Sequence, residues 1–414
     1  MSHTTSRKRA RPSPSNETLS RFCDACNHLR ESSAVAIVKV TPNLGVLGDP
    51  MDTALTETQR MLQDSIRSYL RNEIPFNRIR DLEAGGGWDT DLWRYLQSAG
   101  FLALPFPEAM GGAAGDEGAL TDLAVLLEEL TRRAVVIPFL ETMAGGLAIV
   151  RHGDATVAAE IIGGIIKGTI TLAPAILEAS DDYEDVQLRV GSGRITGTKR
   201  SVDYAQHVTH HLVAARDDAG LGLFLVDANA AEVTVRPVKN MGRTPQAHVD
   251  YKGAAVRKAG GEEAYRFLML IGRALTSIEC LANAQQALDA TVEYVSMRVQ
   301  FGRPIGTFQA VQHHTANMAT MVLSTRFLAY EALWKLDRGE ATERTVAAAK
   351  AWAARTATEV PMMAHQLHGG IGFTEEYDLH FFSRRGKQRA VAWGTADECL
   401  AVLANSIEES ERWL

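Results

Sequence analysis

Three long runs in the last third of the chain, Phe267 to Val295, Gln309 to Leu336 and Thr342 to His368, contain no proline except Pro361. Apolar runs of this length without a breaker predict helices, with a boundary near Pro361, and helices this long suit an antiparallel bundle. Upstream the period differs. Val208 to Ala214, Leu221 to Val226, Val233 to Val238 and His248 to Tyr251 are short runs rich in Val and Leu, separated by Gly, Asp and Asn, and they predict strands. From about 55 to 165 the pattern is again helical. Met61, Ile66, Tyr69 and Leu70 share a face, Gly85-Gly86-Gly87 breaks the chain, and Leu120 to Leu130 repeats apolar residues at three and four with Glu128 and Glu129 outside. The expected organisation is a disordered tail over 1–50, a helical domain over 51–165, a β domain over 166–258 and a helical bundle over 259–414.

Composition narrows the classes. Hydrophobic residues at 46% and charged residues at 22% are globular values. Charged residues cut the apolar stretches, Glu141 within Val135 to Val150 and Lys167 within Ile161 to Ile170, so no segment is expected to span a bilayer. Four cysteines make no disulfide framework, which points to a reducing, cytoplasmic setting. The net charge is −7, and the first 50 residues carry seven basic against four acidic groups, so the body is more acidic than the whole. Nucleic acid is therefore not an expected partner. The tail holds R-K-R-A-R-P and Cys23-Asp-Ala-Cys26, similar to the start of a fungal zinc-cluster motif, but two thiols are half a zinc shell and no metal site is expected. Met51 precedes a stretch, Asp52-Thr-Ala-Leu-Thr-Glu, with the signal of a helix start, where translation is also expected to be able to begin.

The specific residues lie late in the chain. Arg298-Val-Gln-Phe301-Gly302-Arg-Pro-Ile-Gly-Thr-Phe-Gln309, then Gln366-Leu-His-Gly369-Gly370-Ile-Gly372-Phe373-Thr, then Ala392-Trp393-Gly394-Thr395 resemble, in order and separation, the signature of the acyl-CoA dehydrogenase family. Pro107-Glu-Ala-Met-Gly111-Gly112 resembles its N-terminal motif. The resemblance covers about residues 52–412. It implies a mainly α fold with a central β domain: an N-terminal helical domain, a small β-barrel or sandwich domain and a C-terminal four-helix bundle. It implies FAD as cofactor, with Arg298, Phe301, Gln309, Gln366, Gly369, Gly370 and Thr395 as cofactor-binding positions, several of them reaching a neighbouring chain's ADP half. It implies Arg273 against an acyl-CoA substrate in fatty acid or steroid side-chain metabolism, an electron-transfer flavoprotein or similar acceptor, and assembly as a homodimer, homotetramer or heterotetramer. The chemistry of the residues agrees. Arg298 offers a cation to a pyrophosphate, Phe301 an aromatic edge to an adenine, and paired glycines let backbone amides approach phosphate oxygens.

The sequence departs from the family where the reaction needs a base. The usual Glu before Gly394-Thr395 is Trp393, and the second family position, one residue before Arg273, is Gly272. An indole nitrogen only donates. Glu279, Asp397 and Glu398 are the nearest replacements in sequence. The flavin-ring loop reads Leu172-Ala-Pro174-Ala-Ile-Leu-Glu-Ala-Ser-Asp181, without the family's glycines and Thr, and Gly197-Thr-Lys199-Arg-Ser201-Val-Asp203 stands where a Trp and a Thr normally flank the ring. Three functions follow from the resemblance: an FAD-dependent acyl-CoA dehydrogenase acting alone, a non-catalytic partner subunit that donates the ADP-binding half of the site in a heteromeric dehydrogenase, and a flavin monooxygenase of the same fold.

Overall fold

The computed structural model describes residue 51, residues 54–115 and residues 118–408. The expectations for the tail and its Cys23–Cys26 pair lie outside the described residues, as do Asp52 and Thr53. The chain divides into two compact units, Met1–Thr58 and Gln59–Leu414. Apart from the start of the first helix, every element below belongs to the second.

Helices α1 (Glu57–Glu73), α2 (Phe76–Gly85), α3 (Thr90–Ser98), α4 (Ala119–Arg132), α5 (Phe139–His152) and α6 (Ala155–Ile166) come first. Local chemistry sets several of their ends. Asp89 caps α3 by accepting from Leu92 N, Asp154 caps α6 by accepting from Thr156 N and Val157 N, and Gly86 closes α2 in the left-handed conformation. Two expectations need correcting. Met61 is 68% exposed, because it lies five residues, about 140° of helix, from Ile66 at the core. Glu128 and Glu129, expected outside, are buried. Each has a cationic partner: Arg326 meets Glu128 through two 2.7 Å contacts, joined by the Tyr330 hydroxyl at 2.8 Å, and Arg67 binds Glu129 at 2.6 and 2.9 Å.

The middle of the chain forms two four-stranded sheets. One has the order β1 (Leu172–Ala175), β4 (His210–Asp217), β5 (Gly220–Asp227), β8 (Arg257–Gly260); the other has β2 (Val190–Gly191), β3 (Arg194–Asp203), β7 (Gln246–Ala255), β6 (Val233–Pro237). The result is two open sheets. Apolar runs correctly mark β4 to β7, whereas β3, written Arg-Ile-Thr-Gly-Thr-Lys-Arg-Ser-Val-Asp, carries too little apolar alternation to announce itself. An irregularity in its pairing with β7 between Lys199 and Val202 turns its last residues toward the helices that follow.

Those helices are α7 (Glu262–Met297), α8 (Gln309–Asp337), α9 (Glu343–His368), α10 (Leu379–Val391) and α11 (Ala396–Glu408). Between α7 and α8 lies a hairpin of β9 (Val299–Gln300) and β10 (Arg303–Pro304). Pro361 sits inside α9 and not at a boundary. Without an N–H it leaves the Ala357 carbonyl unclaimed within the helix, and that oxygen faces α10 so closely that a Cβ on Gly386 would sit 2.7 Å from it. α7 is the central element, packing against α4, α5, α8, α9 and α10. One window of α7 is, contrary to expectation, long and apolar enough to cross a membrane by composition, with mean hydropathy 1.3; 83% of that window is buried within the protein, as befits a core helix.

Candidate functional site

The expected cofactor positions gather at one end of the bundle. α7 and α9 both finish there and α8 begins there; Tyr294 near the end of α7 stacks on His368 at the end of α9 with ring centroids 4.4 Å apart. Arg298 is the residue after α7, exposed, with no carboxylate partner among the described residues. The β9–β10 hairpin turns at Phe301 and Gly302, both with positive φ, and this conformation holds the Phe301 ring 91% exposed beside Phe308. A bulky residue held at φ +55 and facing solvent stores strain without burying area. Gln309, Gln366, Gly369 and Gly370 are exposed as well. An ideal Cβ on Gly369 or Gly370 would meet nothing within 4 Å, so the backbone there is open to an incoming group. Thr395 stands apart from this set. Its amide and hydroxyl bond Glu398 Oε2 at 2.6 and 3.0 Å while Glu398 N returns to the hydroxyl, which makes Thr395 the cap of α11. That arrangement also accounts for Glu398; Asp397, beside it, is exposed in the first turn of α11.

The two family base positions meet face to face. The Trp393 ring lies so close over Gly272 that a Cβ there would come within 2.3 to 2.6 Å of three indole carbons. Trp393 is buried at φ +60, with its backbone secured on both sides. Its N–H donates to the Tyr183 hydroxyl at 2.8 Å, and its carbonyl accepts from Arg273 Nε at 3.1 Å. Tyr183 also stacks on the indole, 6.5 Å centroid to centroid at 10°. Next to it the buried Lys350 ammonium donates to the carbonyls of Arg389, Ala390 and Gly394 at 3.2, 2.9 and 2.9 Å, tying the end of α10 to the turn that carries Trp393. Arg273, the expected substrate contact, is thus spent on Trp393 and on Glu343, 3.2 Å away.

About two turns of α7 beyond Gly272, at Glu279, begins a group that the sequence did not announce. Arg389 meets three carboxylates: Asp203 at 2.7 Å, Glu141 at 3.2 Å and Glu279 at 2.9 Å, none of the four side chains more than 13% exposed. One guanidinium cannot neutralise three carboxylates. Burial, reinforced by the charges of Asp203 and Glu279 against the opposing pull of Arg389, pushes Glu141 well above the usual carboxylate range. Burial raises Glu279 as well. The signal for this cluster was the lone Glu141 interrupting an apolar run. The Arg384-Arg385-Gly-Lys-Gln-Arg389 segment reads instead as a solvated charge face. The ring loop is likewise committed: buried Lys199 on β3 bonds Glu178 at 2.7 Å and the Ile176 carbonyl at 2.8 Å, and Glu178 in turn accepts from the Gln187 and Leu188 amides.

Comparison with known proteins fixes the family. The model of the acyl-CoA dehydrogenase N-terminal domain matches residues 56–169, and that of the C-terminal domain matches residues 260–407. A solved variant of the Tcur3481-Tcur3483 steroid ACAD is 32% identical with a TM-score of 0.79, covering 85% of this chain and 98% of its own. The chain belongs to the acyl-CoA dehydrogenase family. With that membership it stands among the oxidoreductases that act on CH–CH bonds. Other relatives include the acyl-CoA dehydrogenase FadE27 of Mycobacterium tuberculosis, 29% identical over 78% of this chain and 89% of its own. The ChsE4-ChsE5 complex from the same organism contains a chain 28% identical, with a TM-score of 0.81, covering 87% of this chain and 100% of its own. The mainly helical fold around central sheets is the fold of this family.

Proposed function

We propose that this chain works within an FAD-dependent acyl-CoA dehydrogenase that removes hydrogen from the α and β carbons of an acyl-CoA thioester, and that its part is to lend the ADP-binding half of a flavin site whose ring pocket and base belong to a sister chain. The observation that carries this reading is the Arg389 cluster. Asp203 stands at the end of the segment where family members flank the flavin ring, and here it is bound at 2.7 Å to a buried arginine. The residues on this chain's own ring side therefore do not fit a flavin ring. Those at the outer end do fit an ADP group. Arg298 has an uncommitted charge for pyrophosphate, Phe301 an exposed ring for adenine, and Gly369-Gly370 an unobstructed backbone. FAD, when bound, supplies the hydride acceptor; this chain's residues hold and orient its nucleotide end.

The substrate class that relatives suggest is a bulky acyl-CoA such as a steroid side-chain thioester, with an electron-transfer flavoprotein or similar acceptor reoxidising the assembly. The self-sufficient enzyme would need a base in this chain. Of the three replacements Glu279, Asp397 and Glu398, only Glu279 is buried, and it is bound to Arg389. No observation favours the monooxygenase. The test uses the complex reconstituted with a sister chain that carries the family Glu. Arg298→Ala should weaken flavin retention by roughly 10- to 150-fold, the equivalent of about 1.5–3 kcal/mol for a lost charge-assisted contact, without altering assembly. Unchanged flavin content after dialysis removes Arg298 from the site.

A further inference from the structure

Between α4, the start of α5, α7 and α10, with Tyr204 and Thr244 also at its edge, lies a pocket of about 40 Å³. Its lining mixes apolar residues, Leu130 and Ile137 among them, with polar ones that include Glu279, Asn283, Arg385 and Gln388. Three of these lining residues have a buried side-chain atom without a hydrogen-bond partner: Glu279 Oε2, Asn283 Oδ1 and Arg385 Nε. Each is left over for a definite reason. Asn283 donates its amide to the Glu279 carbonyl at 2.8 Å, which fixes the amide's orientation and leaves Oδ1 unclaimed, since a flip would set two oxygens against each other. Arg385 spends its terminal nitrogens on Glu83 and on the Ala134 and Val135 carbonyls, leaving only Nε. Glu279 Oε2 lies 2.9 Å from Arg389 Nε as an ion pair, but the N–H is not aligned for a hydrogen bond.

We infer that this cavity is a built site for water. An anion placed there would face Glu279, and a cation would face the Arg385 and Arg389 guanidiniums, so either ion meets a like charge at close range. The three atoms left over are two acceptors and one donor. Water matches them with its two donors and an acceptor lone pair, directly or through a short chain of molecules. At roughly 10–15 Å³ per molecule the space holds about three waters, and a buried water that makes about three hydrogen bonds is the ordinary case. The site joins α7, α10 and the turn before α5, so the water would form part of the contact between the N-terminal helices and the bundle.

The direct test is a high-resolution crystal structure of the full chain, with oxygen-17 relaxation dispersion of wild type and Asn283→Leu counting long-lived internal waters in solution. Density within hydrogen-bond distance of the three atoms, and the loss of at least one long-lived water in Asn283→Leu, are the expected results. A dry cavity, direct pairing between the three side chains, or an unchanged water count overturns the inference. If Asn283→Leu does not fold, Leu130→Phe, which fills the cavity from an apolar lining position, should produce the same loss of water. On soaking, methanol, with one O–H for two acceptors, should not replace the water there; methanol ordered on all three atoms, or an ion peak at them, overturns the inference.

Discussion

At the outer end of the bundle Phe301 is 91% exposed, while at the inner seam Trp393, another large aromatic held at positive φ, is only 6% exposed. Both residues lie in family motifs and both carry backbone strain. At the hairpin the strain faces solvent with Arg298, Gln309 and Gly369-Gly370 open around it. At the seam every polar atom of the Trp393 backbone is claimed, the indole fills the space over Gly272, and Arg389 is bound by three acids. Strain kept at a surface that buries little needs an external reason, and a nucleotide is the reason proposed here. Strain at the seam is offset by packing within the chain itself.

If that contrast is right, the largest stability effects come from the seam. Trp393→Ala should cost about 3–5 kcal/mol in denaturant unfolding, as for other large-to-small changes in a core. Gly272→Ala should cost about 1–3 kcal/mol through overpacking against the indole. In the Trp393→Ala background that cost should largely vanish, giving a coupling of about 1 kcal/mol or more. Additive effects would mean that the two side chains do not share the space, and the filled-seam account would fail.

The next contrast is electrostatic and reads out against pH. Burial pushes Glu141 up to about 8 in the folded state, above the ordinary carboxylate value. Its contribution is therefore fully present below the unfolded value, near 4.5, and is lost as pH rises through about 8. Glu128, paired one to one with Arg326, is lowered to about 2, because the arginine's charge and hydrogen bonds outweigh burial; its contribution is present above the unfolded value and lost as pH falls through about 2. Between pH 5 and 8 the wild type should lose stability with a slope of at most about 1.4 kcal/mol per pH unit from Glu141, and Glu141→Gln should flatten it. Identical slopes for the two proteins would show that Glu141 is ionised throughout.

Much of this arrangement was legible in the sequence, but not the part that decides it. The motifs named the family, and reading Trp393 and Gly272 at the base positions needed no structure. That the two residues fill one space did not follow, because they come from α7 and the turn after α10, and only packing brings them together. Arg389 was hidden in a basic segment on an amphipathic helix, where charge normally means solvent. Glu128 and Glu129 were misplaced for the related reason that a buried carboxylate depends on a partner nearly 200 residues away for Glu128 and about 60 for Glu129. Thr395, a cofactor position by the family motif, also caps α11, since Ser/Thr-x-x-Glu is a capping pattern too.

The smallest stability effect belongs to the outer end. Phe301→Gly removes little buried area and relieves the positive φ, so unfolding stability should stay within about 1 kcal/mol of wild type. The same variant should reduce flavin retention in the reconstituted complex. A large loss of stability would show that the hairpin is held by Phe301 and is not kept for a ligand.

The central claim, that this chain offers the nucleotide half of a flavin site while its own ring half is filled, is tested most directly by the flavin-to-protein ratio of the chain expressed and purified alone, read from its absorbance spectrum. The account predicts a colourless protein that acquires flavin only in complex with a sister chain. A yellow protein with one flavin per chain, whose spectrum shifts on adding an acyl-CoA, would contradict it.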